Sequence, residues 1–212
     1  MVQASSSFIF KEKKEFWVKV FNDESFKVFD VEGLDERMVA IRATIQPIFA
    51  EIMAEVSTRL TALVGHETFV HIAQHRRRTR YAPENTWSAI SDSKRGYKSQ
   101  AHLQLGIWDN YVFMYLSIID NPAKREQYAD YLADHHEFPD DFVYSLDHTK
   151  PDFFSVTEGL EKGIQRLHDV KKGEFEVGRL ISRDAKIWQE DSQAYILETF
   201  EALFPLYQRL NA

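Results

Sequence analysis

The chain has 212 residues, of which 33 are acidic and 26 are Lys or Arg, giving a formal net charge of −7. Apolar residues make up 44% and charged residues 28%, which excludes disordered and collagen-like chains and allows a core without disulfides. This length predicts one large domain or at most two small ones. The negative net charge argues against a dedicated nucleic-acid-binding protein.

The chain contains no cysteine, which excludes disulfide frameworks, thiolate zinc sites, iron–sulfur clusters and cysteine nucleophiles. Residues 1–10 lack the basic start and apolar core of a secretory signal. The longest apolar-rich stretch, residues 111–119, has roughly half the length of a membrane-spanning helix. We therefore predict a soluble cytoplasmic protein that does not associate with membranes.

The beginning of the chain is expected to differ from the rest. Residues 1–24 are predicted to be an N-terminal extension with a short helix over residues 11–21. Residues 25–212 are predicted to form a single domain. Within it, residues 26–31 are followed by turn residues and are predicted to form a short strand.

The strongest periodic signal lies between Leu34 and Leu63, where apolar residues recur at steps of three or four. This spacing predicts a helix over residues 35–64 that is capped by Gly65. Pro47 cannot donate a hydrogen bond to the carbonyl group of Ala43, so we expect a kink or a break there.

From residue 86 the period of the apolar pattern changes to two. Residues 86–92, 102–108 and 111–119 are predicted to be strands of an antiparallel sheet. Asp109 and Asn110 are expected to form a two-residue turn between the last two strands, because both residue types tolerate positive φ.

A two-residue turn determines the register of these two strands. His102 then lies opposite Ser117, and Leu105 lies opposite Met114. One face of the sheet is aliphatic, and the other carries polar and aromatic side chains. The second face suits a further packed layer or, at its His102 end, the wall of a ligand site.

The remaining elements alternate between helix and strand. Helices are predicted over residues 122–136, 157–170 and 191–203, and strands over residues 142–146 and 174–181. The predicted fold is a single α+β domain, mainly an antiparallel meander sheet packed by the long N-terminal helix and by C-terminal helices. The tryptophans are expected to lie in the core: Trp17, Trp87, Trp108 and Trp188.

Basic residues are concentrated in one segment. Residues 71–102 carry seven basic and two acidic side chains, whereas the other 180 residues carry 19 basic and 31 acidic ones. Arginine forks match phosphate and carboxylate oxygens, and Gly96 permits close approach of the backbone to a ligand. The segment predicts an anion site, with solvated surface charge as the alternative. The candidate ligand-binding residues are Arg76, Arg77, Arg78, Arg80, Lys94, Arg95, Lys98 and, from another loop, Lys150.

The segment 147–151 follows a predicted strand and is held by Pro151, as is typical of site loops. Asp147 beside His148 could orient the imidazole for acid–base chemistry, or it could make a hydrogen-bonded turn. His102 is a second acid–base candidate. No metal or cofactor is predicted: His71 and His75 would share a face only in a helix, and the neighbouring arginines oppose a cation.

Several long motifs occur together and in order in this chain. They are residues 26–38, His71 with residues 75–79, Thr86 with Trp87, and residues 93–98, 102–108 and 147–151. With them the chain resembles the YktB-like uncharacterised protein family of Gram-positive bacteria over about residues 25–210. The resemblance implies a single α+β domain whose family pattern includes the basic segment and the loop at 147–150. It implies no catalytic residue, because that family has no assigned activity.

The sequence leaves several kinds of function open. We expect a protein that binds a phosphate-bearing small molecule at the basic segment. The alternatives are an enzyme acting on a phosphorylated substrate with His148 or His102 as acid–base, a module that binds RNA or DNA, and a module that binds an acidic protein partner.

Overall fold

An antiparallel sheet organises the computed structural model, which describes residues 20–212. Seven strands occur in this range, in the spatial order β1-β2-β3-β4-β7-β5-β6. They are β1 (Phe69–Ile72), β2 (Thr86–Ser91), β3 (His102–Ile107), β4 (Tyr111–Ile118), β5 (Val143–Ser145), β6 (Phe154–Ser155) and β7 (Phe175–Ser182).

The helices lie before, between and after these strands, so the fold is α+β, as predicted. They are α1 (Asp23–Lys27), α2 (Leu34–Ala40), α3 (Gln46–Val64), α4 (Arg125–Asp134), α5 (Leu160–Asp169) and α6 (Ser192–Asn211). Short 3-10 helices cover Val28–Asp30 and Lys186–Gln189. Within residues 20–212, no helix is both long and apolar enough to cross a membrane.

The strand predicted over residues 26–31 is wrong, because this segment is helical. Asn22 and Ser25 form a capping box in which each side chain accepts a hydrogen bond from the other's backbone N–H, both at 3.3 Å. The helical turn places Phe26 and Phe29, three residues apart, in the core. The cap and this spacing outweigh the β-propensity of the segment.

The packed core begins before the boundary predicted at residue 25. Phe21 is buried, and its ring lies 5.7 Å from that of Phe49 and 6.2 Å from that of Trp188, measured between ring centroids. The helix predicted over residues 11–21 lies almost entirely outside the described residues.

The long N-terminal helix is interrupted directly before Pro47. A π-helical segment, Ile41–Ile45, joins α2 to α3, and Pro47 occupies the first turn of α3. Pro is tolerated in a first turn because its missing N–H needs no partner there. The helix ends at Gly65, whose φ of 78° is left-handed and whose N–H donates to Thr61.

The predicted register of β3 and β4 is confirmed. His102 lies opposite Ser117 and Leu105 opposite Met114, and the N–H of Trp108 donates to the carbonyl group of Tyr111 at 2.9 Å. Neither Asp109 nor Asn110 adopts a positive φ in this turn, so the positive φ expected of them is wrong.

Two features of the chain's fold lie outside the sequence prediction. The edge strands β1 and β6 were not predicted, since they have only four and two residues. Helix α6 was predicted to stop near residue 203, but it continues through Pro205 to Asn211. Tyr207 and Leu210 are buried, and their packing outweighs the hydrogen bond that Pro205 cannot make.

Different elements pack on the two faces of the sheet. Helices α3 and α6 pack on the aliphatic face, which carries Leu103, Leu105 and Met114. On the opposite face, cross-strand pairing joins His102, Ser117 and Glu176 in one row. This second face carries the candidate site.

Candidate functional site

A cavity of about 740 Å³ is lined by loops and by residues of the polar and aromatic sheet face. Two carboxylates, Glu84 and Asp120, lie in its wall. Five basic side chains outnumber them, so the cavity is electropositive: Arg76, Arg77, Arg78, Arg95 and Lys98.

Several of these guanidinium groups are not neutralised by the protein. Among residues 20–212, Arg76, Arg77 and Arg95 form no ion pair, and Arg78 reaches only the carbonyl oxygen of Ala82, at 3.5 Å. Arg179, by contrast, donates to the Asp141 carboxylate at 2.6 and 3.2 Å. The charge of the arginine cluster therefore remains available to a ligand.

Three predicted ligand-binding residues do not line the cavity. The guanidinium carbon of Arg80 lies 5.0 Å from the centre of the Tyr81 ring, and Lys94 is exposed. Lys150 pairs with Asp147 at 3.4 Å, and both side chains are substantially exposed. The structure thus brings together residues 76–78 and 95–98 of the basic segment, and leaves these three outside.

Lys98 and Trp87 line the cavity and lie against each other. Lys98 forms an ion pair with Asp120, and its ammonium nitrogen lies 5.9 Å from the centre of the Trp87 ring. The indole Nε1–H of Trp87 donates to the Tyr97 hydroxyl at 2.9 Å. Trp87 and Trp108 were both predicted to be core residues, and both line the cavity; Trp108 is buried, whereas Trp87 is only half-buried.

The cavity also contains a histidine oriented by a carboxylate. The Nδ1 atom of His148 lies 2.8 Å from Oε2 of Glu174, and the backbone N–H of His148 donates to the same oxygen at 3.1 Å. The two side chains are only 16% and 14% exposed. Burial lowers the pKa of His148, but the hydrogen bond and charge of Glu174, with the charge of Glu176, outweigh it and raise the pKa above its usual value.

Glu174 was missed by the sequence reasoning because it lies 26 residues from His148 and just before β7. Its pKa is lowered: burial raises it, but the hydrogen bond and charge of His148 prevail. Its other oxygen accepts the backbone N–H of Asp120 at 3.1 Å. The pairing of β7 with β5 brings Glu174 to His148, and the pairing of β7 with β4 brings it to Asp120; no local motif signals either pairing.

Asp147 makes a hydrogen-bonded turn and does not orient the His148 imidazole. Its Oδ1 accepts hydrogen bonds from the backbone N–H of Thr149 at 3.0 Å and from the Thr149 hydroxyl at 2.6 Å. The carboxylate that orients His148 is therefore that of Glu174, and Asp147 shapes the loop.

His102 is fully buried beneath the cavity and does not line it. Its Nδ1 lies 2.9 Å from the carbonyl oxygen of Gln100, so Nδ1 carries the proton, and Nε2 accepts from the amide of Gln104 at 2.9 Å. Burial lowers its pKa to about 4, so the ring is neutral at pH 7. Both ring nitrogens are occupied, which makes His102 a structural residue of the sheet.

Glu176 lies in the same cross-strand row as His102, separated from it by Ser117. It is 3% exposed, and its Oε1 accepts a hydrogen bond from the Ser117 hydroxyl at 2.7 Å. Burial raises its pKa to about 7. The sheet beneath the cavity therefore contains a carboxyl group that is partly protonated near neutral pH.

Asp120, His148 and Glu174 place one possible ligand atom each within 4.8 Å of one another. Their contacts favour a hydrogen-bonded network over a metal centre. Asp120 is paired with Lys98, and both oxygens of Glu174 accept N–H groups. A cation would have to displace the Lys98 ammonium group from Asp120.

The fold and the cavity define an α+β protein with an electropositive cavity on the face of an antiparallel sheet opposite its main helical layer. Residues 21–207 match the family model of a domain of unknown function, DUF1054, and the chain belongs to this family. This confirms the family expected from the sequence motifs.

The curated relatives extend over nearly the whole chain. A UPF0637 protein of Enterococcus faecalis is 53% identical over 196 residues, which cover 89% of this chain and 97% of the relative. UPF0637 proteins of Lactococcus lactis subsp. cremoris and Exiguobacterium sibiricum are 47% and 43% identical, each over 90% of this chain and 98% of the relative.

Proposed function

We propose that the electropositive cavity binds a phosphate-bearing small molecule. The observation that carries this proposal is the cluster of arginines without carboxylate partners on one cavity wall. Guanidinium groups bind phosphate oxygens in two-point contacts that are about twice as strong as neutral hydrogen bonds. The cavity volume of about 740 Å³ is that of a small-molecule site.

The distribution of charge supports a small ligand over a nucleic-acid strand. The 180 residues outside 71–102 carry an excess of twelve acidic groups, with 31 acidic and 19 basic side chains. A long polyanion would extend over this acidic surface and be repelled by it. A ligand that fits within the cavity would meet more basic than acidic side chains.

The test is a triple substitution, Arg77→Gln with Arg78→Gln and Arg95→Gln, with calorimetric titration of pyrophosphate and ribose 5-phosphate. Loss of charge-assisted hydrogen bonds should weaken binding by about tenfold or more. Arg209→Gln is the matched control, since Arg209 is exposed on α6, which covers the opposite face. If the triple variant binds both compounds as the unsubstituted protein does, the proposal fails.

The second candidate function is an enzyme acting on a phosphorylated substrate. The carrying observation is the 2.8 Å contact between His148 and Glu174 at the cavity wall. With Nδ1–H donated to Glu174, the Nε2 atom of His148 can accept or release a proton, and the arginines would neutralise phosphate charge. If the protein is such an enzyme, it should convert a phosphorylated substrate, and His148→Gln should abolish this activity while the substrate still binds.

The same titrations distinguish the remaining alternatives. A nucleic-acid-binding module requires an affinity for short RNA or DNA that falls steeply as salt is raised. A module for an acidic protein partner requires that pyrophosphate and ribose 5-phosphate fail to bind.

A further inference from the structure

The cavity wall combines its arginines with a fixed aromatic surface. The orientation of Trp87 is determined by the hydrogen bond from its Nε1–H to Tyr97. The rings of His75 and His148 stand nearly perpendicular to the indole, at 5.5 and 6.2 Å between ring centroids. An aromatic ring held in place beside a cavity can stack with a planar ligand without a further loss of side-chain freedom.

The basic and aromatic groups are structurally linked. Tyr97, which holds Trp87, lies in the same loop as Arg95 and Lys98, and all four residues line the cavity. A phosphate on the arginines therefore lies within the same cavity as the indole. A ligand that is only an anion would contact the arginines and would make no use of the indole of Trp87.

A polar side chain beside Trp87 can contact the edge of a planar ligand. Asn85 is 6% exposed and lines the cavity, and its Nδ2 donates to the carbonyl oxygen of His148 at 3.4 Å. This bond assigns the amide orientation. The Oδ1 atom has no partner among the residues that the structure describes, so it can accept a hydrogen bond from an amino group of a ligand.

We infer that the phosphate-bearing ligand is a mononucleotide, with its phosphate at the arginine cluster, its base against Trp87 and the base edge at Asn85. The inference rests on the proposed phosphate site and adds the base to it. We infer a free nucleotide instead of a strand because the cavity has the volume of a small-molecule site and the residues outside 71–102 carry a net negative charge.

The first experiment needs no variant. Calorimetric titrations at low salt compare AMP, GMP, CMP and UMP with ribose 5-phosphate and adenosine. Base stacking should make at least one mononucleotide bind about tenfold or more tightly than ribose 5-phosphate. An eight-nucleotide RNA is included, and it should bind no more tightly than the best mononucleotide.

Substitutions at the indole assign the gain to Trp87. Trp87→Leu should remove most of the preference for the mononucleotide and should lower the affinity for ribose 5-phosphate much less than the affinity for the mononucleotide. Trp87→Phe retains a ring and should keep a large part of the preference. Tyr97→Phe removes only the hydrogen bond to the indole and should have a smaller effect than Trp87→Leu.

The outcomes separate this inference from the proposed phosphate site. If every mononucleotide binds no more tightly than ribose 5-phosphate, the inference is wrong and the phosphate site stands. If adenosine binds as tightly as AMP, the phosphate site fails although the base site exists. If the RNA binds more tightly than every mononucleotide, the ligand is a strand, and if nothing binds, both proposals fail.

Discussion

Replacing Glu176 with Gln is expected to stabilise the protein at alkaline pH and to change its stability much less at acidic pH. The carboxyl group is 3% exposed, and burial raises its pKa from 4.5 to about 7. A Gln side chain can still accept the hydrogen bond that the Ser117 hydroxyl donates to Glu176. The substitution therefore removes the ionisation while it keeps the shape and the acceptor.

The magnitude follows from the linkage between ionisation and folding. Below pH 4.5 the carboxyl group is protonated in both states and has no effect on their balance. As the pH rises to about 7, the unfolded chain ionises first and the folded state loses about 1.4 kcal/mol per pH unit. Above pH 7 the loss levels off at about 3 kcal/mol, whereas at pH 5 it is only about 1 kcal/mol.

Urea unfolding of Glu176→Gln and of the unsubstituted protein between pH 5 and 8.5 measures this difference. The Gln variant should gain about 2 kcal/mol relative to the unsubstituted protein across that range. Glu198→Gln is the control: Glu198 is exposed on α6, and its substitution should change stability by less than about 0.5 kcal/mol at each pH. A stability difference for Glu176→Gln that is independent of pH would refute the argument.

Three further substitutions test individual contacts. Glu174→Gln should lower the pKa of His148, because it removes the neighbouring negative charge, and NMR titration of the imidazole should show no comparable change in Asp147→Asn. Gly178→Ala should lower the free energy of unfolding by roughly 1–3 kcal/mol, because a Cβ there would overlap the backbone carbonyl oxygen of Met114; an unchanged urea midpoint would contradict this. Tyr207→Phe should destabilise the protein by roughly 1.5–3 kcal/mol, because it removes the 2.5 Å hydrogen bond to the Asp92 carboxylate, and thermal unfolding at pH 7 measures the loss.

The elements that were predicted correctly depend on local patterns. The register of β3 and β4 follows from a two-residue turn and the apolar alternation on either side of it. The basic charge of residues 76–78 and 95–98 is also visible in the local sequence, but these residues lie in loops at opposite ends of β2. That both loops line one cavity depends on how they fold over the sheet, which no local pattern specifies.

The features that were missed depend on distant packing. Helix α6 continues through Pro205 because of burial of residues beyond it, and propensity alone predicts a stop there. Glu174 reaches His148 only because β7 is inserted between β4 and β5, an order that no short motif specifies. The sequence therefore predicts which segment makes the cavity electropositive. It does not predict that Glu174 is the carboxylate that orients His148.

The arginine cluster places guanidinium groups that form no ion pair next to one another along the chain. The chain has 33 acidic residues, and some arginines elsewhere are paired with them, as Arg183 is with Asp23 and Arg59 with Glu55. Others, such as Arg166 and Arg209, form no ion pair among the described residues, but they do not lie next to another arginine. Adjacent guanidinium groups without partners repel one another and lower stability. A chain rich in carboxylates could relieve this repulsion by placing one beside Arg76 or Arg77, but among the described residues it does not. Under the proposed function, a bound phosphate would relieve this repulsion and would thereby contribute to its own affinity.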